Sequence, residues 1–409
     1  MKSKKLEIVS EKSPSARAKL PRVLSYIGRW LPTYIGQRLT RRTPRGKLHL
    51  MIAIADHFEP AIVPGDGTAR ASYSEQQRRL QTWCRQYPKA IDSWRDHDGR
   101  PFYHTYFYPA EQYDSELLDQ LTLHCREGWG EIEVHLHHGM DRPDTVANTR
   151  EQLVKFRDLL ADKHGALSYE DGSTLPRYAF VHGNFALANS ALGEACGVDS
   201  EMQVLHETGC YADLTLPTAF FHPAQISKVN SLYECHAPLS ERAAHRHGRN
   251  LRVGKSVALF PLIVQGPLLP DIGFNHGRPR YLSLENGALT GANPPSLRRL
   301  SLWKRAAVRV KGRPDWLFIK LHCHSMDPTQ HAAVLGNELQ IFLQDLVKGA
   351  SARDETLHFV TAREMVNIIL AACEGREGNP GEYRDYRLKI RRSKRAQSAH
   401  QLNAMATKD

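Results

Sequence analysis

Between residues 48 and 375, short apolar runs alternate with longer stretches of helical period. "LHLMIAIAD" (48–56) is a continuous apolar run closed by charge, the pattern of a strand buried on both faces. Comparable runs stand at 103–109 (YHTYFYP), 131–137 (EIEVHLH), 177–184 (RYAFVHGN), 211–217 (YADLTLP), 257–265 (VALFPLIVQ) and 316–324 (WLFIKLHCH). Helical periodicity fills 74–98, 114–127, 145–164, 199–209, 331–348 and 361–373. About seven strands, most of them separated by helices, predict an α/β architecture built on a parallel sheet. Residues 220–256 are rich in His, Arg and Pro and lack any period, so a long excursion over the surface is expected there.

The flanks differ from this body. Residues 1–19 are polar and Lys-rich and are expected to be disordered. In 20–42, Leu, Val, Ile, Trp and Tyr recur at helical spacing between arginines. That pattern fits a helix packed on the body with a basic outer side, and it also fits a peripheral anchor on an anionic membrane. The expected division is a basic extension over 1–47, one domain over 48–375 and a basic, disordered tail over 376–409.

Charge sharpens this division. The chain of 409 residues carries a net +11, but residues 1–47 hold 13 Lys or Arg against 2 Glu, and 376–409 hold 9 basic residues against 4 acidic. The body is left at −5, which gives no basic surface for displacing phosphate counterions and argues against a nucleic-acid partner. Seven scattered cysteines without a C-x-x-C pair suit buried thiols rather than a disulfide framework or a thiolate zinc site. The charged first nineteen residues lack the apolar core of a signal peptide, and no apolar stretch approaches ~20 residues, so the cytoplasm is expected, with peripheral contact at the inner membrane as an option.

The chemically capable residues gather at the C-terminal ends of the strands: Asp56 and His57, His135 to His138, His182 to Asn184, Asp213, Gln265, and His322 to His324. In parallel α/β folds that edge carries the site. Strand alternation puts His135 and His137 on one face, where two neutral imidazoles can share a divalent cation such as Zn²⁺. His138 then stands as a third ligand or as a partner of one. Asp56 and His57 offer a base and a further ligand, and His322 and His324 a general acid on the opposite wall. The plain alternatives are surface histidines at a strand end and an Asp56 that caps the next segment.

The order of these motifs resembles that of the polysaccharide deacetylase superfamily, in a divergent branch associated with exopolysaccharide genes. The likeness covers roughly 48–375. It lies in the first strand with Asp56 and His57, in Glu131-Ile132-x-x-His135, in the late strand ending Leu321-His322-Cys323-His324, and in "FVHGNFALANS" (180–190) and "ETGCYADLTLP" (207–217). The resemblance implies an irregular (β/α)7-type barrel that removes N- or O-acetyl groups from an acetylated polysaccharide or oligosaccharide with a divalent metal. It implies Asp56 as base, His57 in the place of a metal-binding Asp, His135 with His137 or His138 as metal ligands, and His322 or His324 as acid. Three departures stand out: "AIADHF" (53–58) replaces T-F-D-D-G, H-x-H-H replaces H-x-x-x-H, and the Arg-x-Pro motif has no counterpart in position. Asn184 is a candidate for oxyanion stabilisation, and Asp213 for a second carboxylate at the substrate. Tyr106, Tyr108, Trp129 and Phe185 are candidates for stacking on sugar rings. Two other functions fit the same residues: a metal-dependent glycoside or phosphoester hydrolase, and a catalytically degenerate glycan-binding scaffold of exopolysaccharide biosynthesis.

Overall fold

The computed structural model describes residues 16–41, 46–66, 69–218, 222–275 and 278–391. Of the disorder expected for 1–19 and 376–409, the parts over 1–15 and 392–409 lie outside the described residues, whereas 16–19 begin a helix and 376–391 are described.

A mostly parallel sheet organises the body. Its central strands are β1 (Leu48–His57), β2 (His104–Pro109), β3 (Gly130–Leu136), β5 (Tyr178–His182), β6 (Cys210–Asp213), β9 (Leu262–Val264) and β12 (Trp316–Cys323), with the short β4 (Ser168–Glu170) outside it. The strand order is β12-β1-β2-β3-β5-β6-β9, and every one of these pairings is parallel. Two short antiparallel strands, β7 (Leu232–Glu234) and β8 (Arg249–Asn250), extend the β9 end. Helices α2 (Tyr73–Ile91), α3 (Ser115–His124) and α4 (Val146–Asp158) follow β1, β2 and β3. They share a core with Leu50, Ile52 and Ile54 of β1 and with Ile132 and Val134 of β3.

The opposite face of the sheet is just as apolar at its base. Met51, Ala53, Ala55, Phe107, Val181 and Phe318 form a second core with Met365, Val366 and Ile369 of α9 (Ala362–Cys373), a helix buried along its whole length. A strand with both faces covered has no polar alternation to show, which is why β1 reads as an unbroken apolar run. The sheet is strongly curved: Lys320 of β12 reaches across to donate to the Leu214 carbonyl, at 2.8 Å. Among the described residues, no hydrogen-bonded ladder joins β12 to the far end of the sheet.

Several elements depart from the expectations. Of the surface excursion expected over 220–256, the described part, 222–256, is instead drawn into the interior, with Leu232, Tyr233, Cys235, Ala243 and Ala244 buried. Strands of two or three residues are too short to display a period. A hairpin of β10 (Leu269–Asn275) and β11 (Arg278–Glu285) and helix α6 (Leu297–Ala306) fill a stretch with no expected element. The helix expected over 331–348 breaks at Gly336 into α7 (His331–Val334) and α8 (Asn337–Gly349). β13 (Glu355–Phe359) pairs with the first half of β1, where β2 has not yet begun. Residues 376–391, expected to open the tail, belong to the body instead, because β14 (Leu388–Ile390) pairs with β4 and Arg384 is buried.

At the other end, α1 (Ala16–Thr40) lies on the body. Trp30 is fully buried against Val229 and Leu268, Arg29 donates to the Pro223 carbonyl, and Gln37 donates to that of Val229. Ile35 and Leu39 face outward.

Candidate metal centre

Strands β1, β3 and β12 all deliver their C-terminal residues to one rim. Alternation turns His57, His135 and His322 to the concave side, and the chain just beyond the strands adds Glu59, His137 and His324. The ring of His57 lies 5.1 Å from that of His135, 4.7 Å from His324 and 6.1 Å from His322, centroid to centroid. His135 and His137 are 4.5 Å apart. Imidazoles from three sequence-distant strands thus meet in one place.

Glu59 stands in the middle. Its Oε1 lies 3.5 Å from His135 Nε2, 3.8 Å from His324 Nε2 and 4.0 Å from His137 Nε2. Two donor triples share this carboxylate, His57-Glu59-His324 and Glu59-His135-His137, each with donor atoms within 4.8 Å of one another.

The ring orientations are fixed from behind. His135 Nδ1 is 2.7 Å from the Val181 carbonyl, which can only accept, so the proton sits on Nδ1 and Nε2 presents a lone pair. That Nε2 is buried and has no hydrogen-bond partner. His137 Nδ1 donates to Glu111 Oε1 at 2.7 Å, which turns its own Nε2 towards Glu59. A carboxylate or carbonyl behind each ring is the arrangement that orients histidine ligands of metals. Gly183 makes room for it, since a Cβ there would fall 2.3 Å from the His137 ring.

The local electrostatics favour neutral rings at His57 and His135 and a charged carboxylate, whereas at His137 burial is outweighed by the contacts with Glu111 and Glu59, which raise the pKa of the imidazolium. Burial pushes the His57 imidazolium well below its ordinary pKa, and His324, His135, His322 and Lys320 push it further down. Burial likewise lowers that of His135, with His137 adding to the effect. Burial alone would raise Glu59, but the contact with His135 and the nearby His137 and His324 outweigh it and bring the carboxyl to about 2. An unpartnered lone pair 3.5 Å from an anionic oxygen is a mutual repulsion that a cation between them removes. The donor set therefore fits a divalent metal.

The other residues singled out in the sequence are placed differently. Asp56 points to the opposite face of β1 from His57. It accepts from His104 Nδ1 at 2.9 Å and from the Ser325 backbone N–H at 2.9 Å, and is fully buried. His138 turns away from His135 and His137 towards Asp144 and Glu201. Tyr106 and Tyr108 share the parity of His104, not of Phe107, and lie in the core beneath the helices; their hydroxyls meet His124 and Trp129 in the one case and the Gln112 carbonyl in the other. Trp129 is partly buried at that same core.

Phe185, in contrast, stands at the rim, with its ring 5.8 Å from His57 and 6.1 Å from His322. Asn184 beside it is exposed and donates to the Met140 sulfur. Asp213 is fully buried and bonded to Thr215, and burial raises its carboxyl to about 7. Glu59 and Glu111 were not singled out from the sequence. Both lie just past strand ends, one in "DHFEP" and one after "YFYP", and that position was the available signal.

Compared with models of protein families, with curated proteins and with solved structures, the chain finds no match. Among the described residues no helix is long and apolar enough to cross a membrane.

Proposed function

We propose that this chain is a metal-dependent hydrolase that removes acetyl groups from an N- or O-acetylated polysaccharide or its precursor, on a curved sheet that is an irregular (β/α) barrel. The observation that carries the reading is His135, whose proton is committed to a backbone carbonyl while its buried lone pair faces a carboxylate. His135 and His137 are the core ligands, with His324 and His57 on the other side of Glu59. A divalent cation there would polarise an acyl carbonyl and acidify a water molecule, as such ions do in hydrolases.

The chain's own groups supply the rest. Glu59, kept anionic among the imidazoles, takes the proton from the attacking water. His322, on the inner face of β12, passes the proton taken up by Glu59 to the nitrogen or oxygen of the sugar as the acyl bond breaks, and His324, just beyond that strand, is the alternative donor where it is not a ligand. Phe185 forms an apolar wall beside them. Asp56 is bound into its own hydrogen-bond network on the far face, which favours Glu59 over Asp56 as the base. Because Glu59 belongs to both donor triples, the same residues could hold a second divalent cation, with His57 and His324 supplying its imidazoles.

Metal analysis coupled to acetate release from a panel of acetylated glycans tests the reading. The double substitution His135→Ala and His137→Ala should remove rim metal and abolish acetate release. Full metal content and undiminished release in that variant would overturn the proposal.

A further inference from the structure

Behind the rim, a separate group of donors comes from four places in the chain: His138 after β3, His182 at the end of β5, Cys196 in the following loop, and Glu201 at the start of α5 (Glu201–Glu207). All four are buried, with Glu201, His182 and Cys196 fully so. One donor atom from each lies within 4.8 Å of the others. The packing is close enough that Gly139 must be glycine. Its φ is +66°, and a Cβ would fall 2.1 Å from the Cys196 carbonyl oxygen.

Both imidazoles are oriented from outside. His138 Nδ1 is 2.9 Å from Asp144 Oδ2, and its Nε2 is 2.9 Å from Glu201 Oε1. His182 Nδ1 is 2.5 Å from the Gly183 carbonyl, so that nitrogen carries a proton and Nε2 is turned inward. This Nε2 is buried, lies 3.2 Å from Glu201 Oε1, and makes no hydrogen bond. A purely hydrogen-bonded cluster accounts for His138, which can donate to both carboxylates. It accounts less well for His182, whose buried Nε2 lies close to Glu201 Oε1 but is not aligned for a hydrogen bond to it.

We propose that His138, His182, Cys196 and Glu201 form a structural zinc site, distinct from the rim. Two imidazoles, one thiolate and one carboxylate give four donors of the types zinc takes, and a fully protein-ligated, buried set is the mark of a structural rather than a catalytic site. Asp144 and the Gly183 carbonyl supply the outer partners that such histidines have.

The loop between the ligands explains the need for a clamp. Asn184, Phe185, Ala188, Asn189, Leu192 and Ala195 all have φ between +49° and +58°, a left-handed conformation that costs a non-glycine residue ~1–2 kcal/mol. A metal tying Cys196 and His182 to α5 holds that loop, and the loop carries Phe185 to the rim. The single thiolate was invisible in the sequence because its co-ligands lie 58, 14 and 5 positions away (138, 182 and 201) rather than in a paired motif.

Cobalt substitution tests the site, because the rim triples contain no cysteine and the other donor group with a thiol among the described residues, Asp56-His104-Cys323, is left intact when Cys196 is changed. Cobalt-loaded protein should show a thiolate-to-cobalt charge-transfer band in the near ultraviolet. Cys196→Ser should lose it, and the His135→Ala, His137→Ala double variant should keep it, whatever the acetate assay shows. Absence of the band, or its survival in Cys196→Ser, overturns the assignment. If Cys196→Ser does not fold, X-ray absorption on the zinc-loaded Cys323→Ala variant, which removes the thiol of the Asp56-His104-Cys323 group, gives the same reading: a sulfur scatterer at about 2.3 Å is expected, and a shell of nitrogen and oxygen alone overturns the assignment.

Discussion

Glu133, one turn of the alternation below His135 on β3, offers a quantitative test of how the concave face is built. It is buried, and its carboxylate oxygens meet the Tyr211 hydroxyl and, at 2.6 Å, the Ala179 backbone N–H. Burial raises its pKa from the ordinary 4.5 to about 8, and these two hydrogen bonds oppose the rise only in part. The folded protein therefore holds this proton more tightly than the unfolded chain does. The resulting stability is complete below pH 4.5, falls as the pH rises through the window from 4.5 to 8, and is lost above it. A displacement of that size is worth ~5 kcal/mol across the window, or about 1.4 kcal/mol for each pH unit. Glu133→Gln preserves the shape and keeps an acceptor for Ala179, but it cannot ionise. Urea unfolding of both proteins at several values from pH 5 to pH 9 isolates the residue from every other titrating group. The two should have similar stability at pH 5, and the variant should be the more stable by several kcal/mol at pH 9. Parallel profiles would show that Glu133 is not held neutral, and would refute the view that the base of the concave face is dry.

Three further outcomes are expected. Glu111→Gln removes the charged acceptor behind His137 and should weaken metal binding at the rim about 10- to 100-fold without unfolding the protein, as measured by competition with a chromophoric chelator. Asp56→Asn places an amide against two donors, His104 and the Ser325 N–H, and should cost about 1–3 kcal/mol in urea unfolding while rim metal is retained; lost turnover at unchanged stability would return Asp56 to the chemistry. Trp30→Ala empties the contact with Val229 and Leu268, weakening the docking of α1 by ~3 kcal/mol, which should appear as faster proteolysis within 16–41 with unfolding of the body little changed.

What the sequence revealed about the site follows from the period of a strand. Within β1, β3 and β12 alternation is strict, and after β3 it carries one residue further, so the shared inward direction of His135 and His137, and of Lys320 and His322, was legible without coordinates. The same rule separates Asp56 from His57, although adjacency suggested a joint role. Elsewhere alternation lapses once a strand ends, and Glu59 and Glu111 lie one or two residues past that point. β2 is buried on both faces, so its pattern could not say whether Tyr106 and Tyr108 or Phe107 faced the concave side. The cluster of His138, His182, Cys196 and Glu201 depends on long-range packing that no local pattern encodes. The seven principal strands were readable because each is a long apolar run or ends in a polar group. β7 and β8 were not, because pairing rather than patterning defines them.

Arg384 has a consequence for the order in which the protein can be completed. Its guanidinium donates to Asp96, Asp98 and Glu364 and to the Phe359 carbonyl, joining the loop before β2 to the start of α9 from a position close to the end of the described chain. During synthesis from the N-terminus, Asp96 and Glu364 emerge well before the one cation that neutralises them together. Their burial has to wait for it, because an enclosed carboxylate without its counter-charge is strongly unfavourable. A ribosome-bound intermediate halted before residue 384 would thus carry its sheet but not its sealed base, and that closing step belongs to the segment that follows α9.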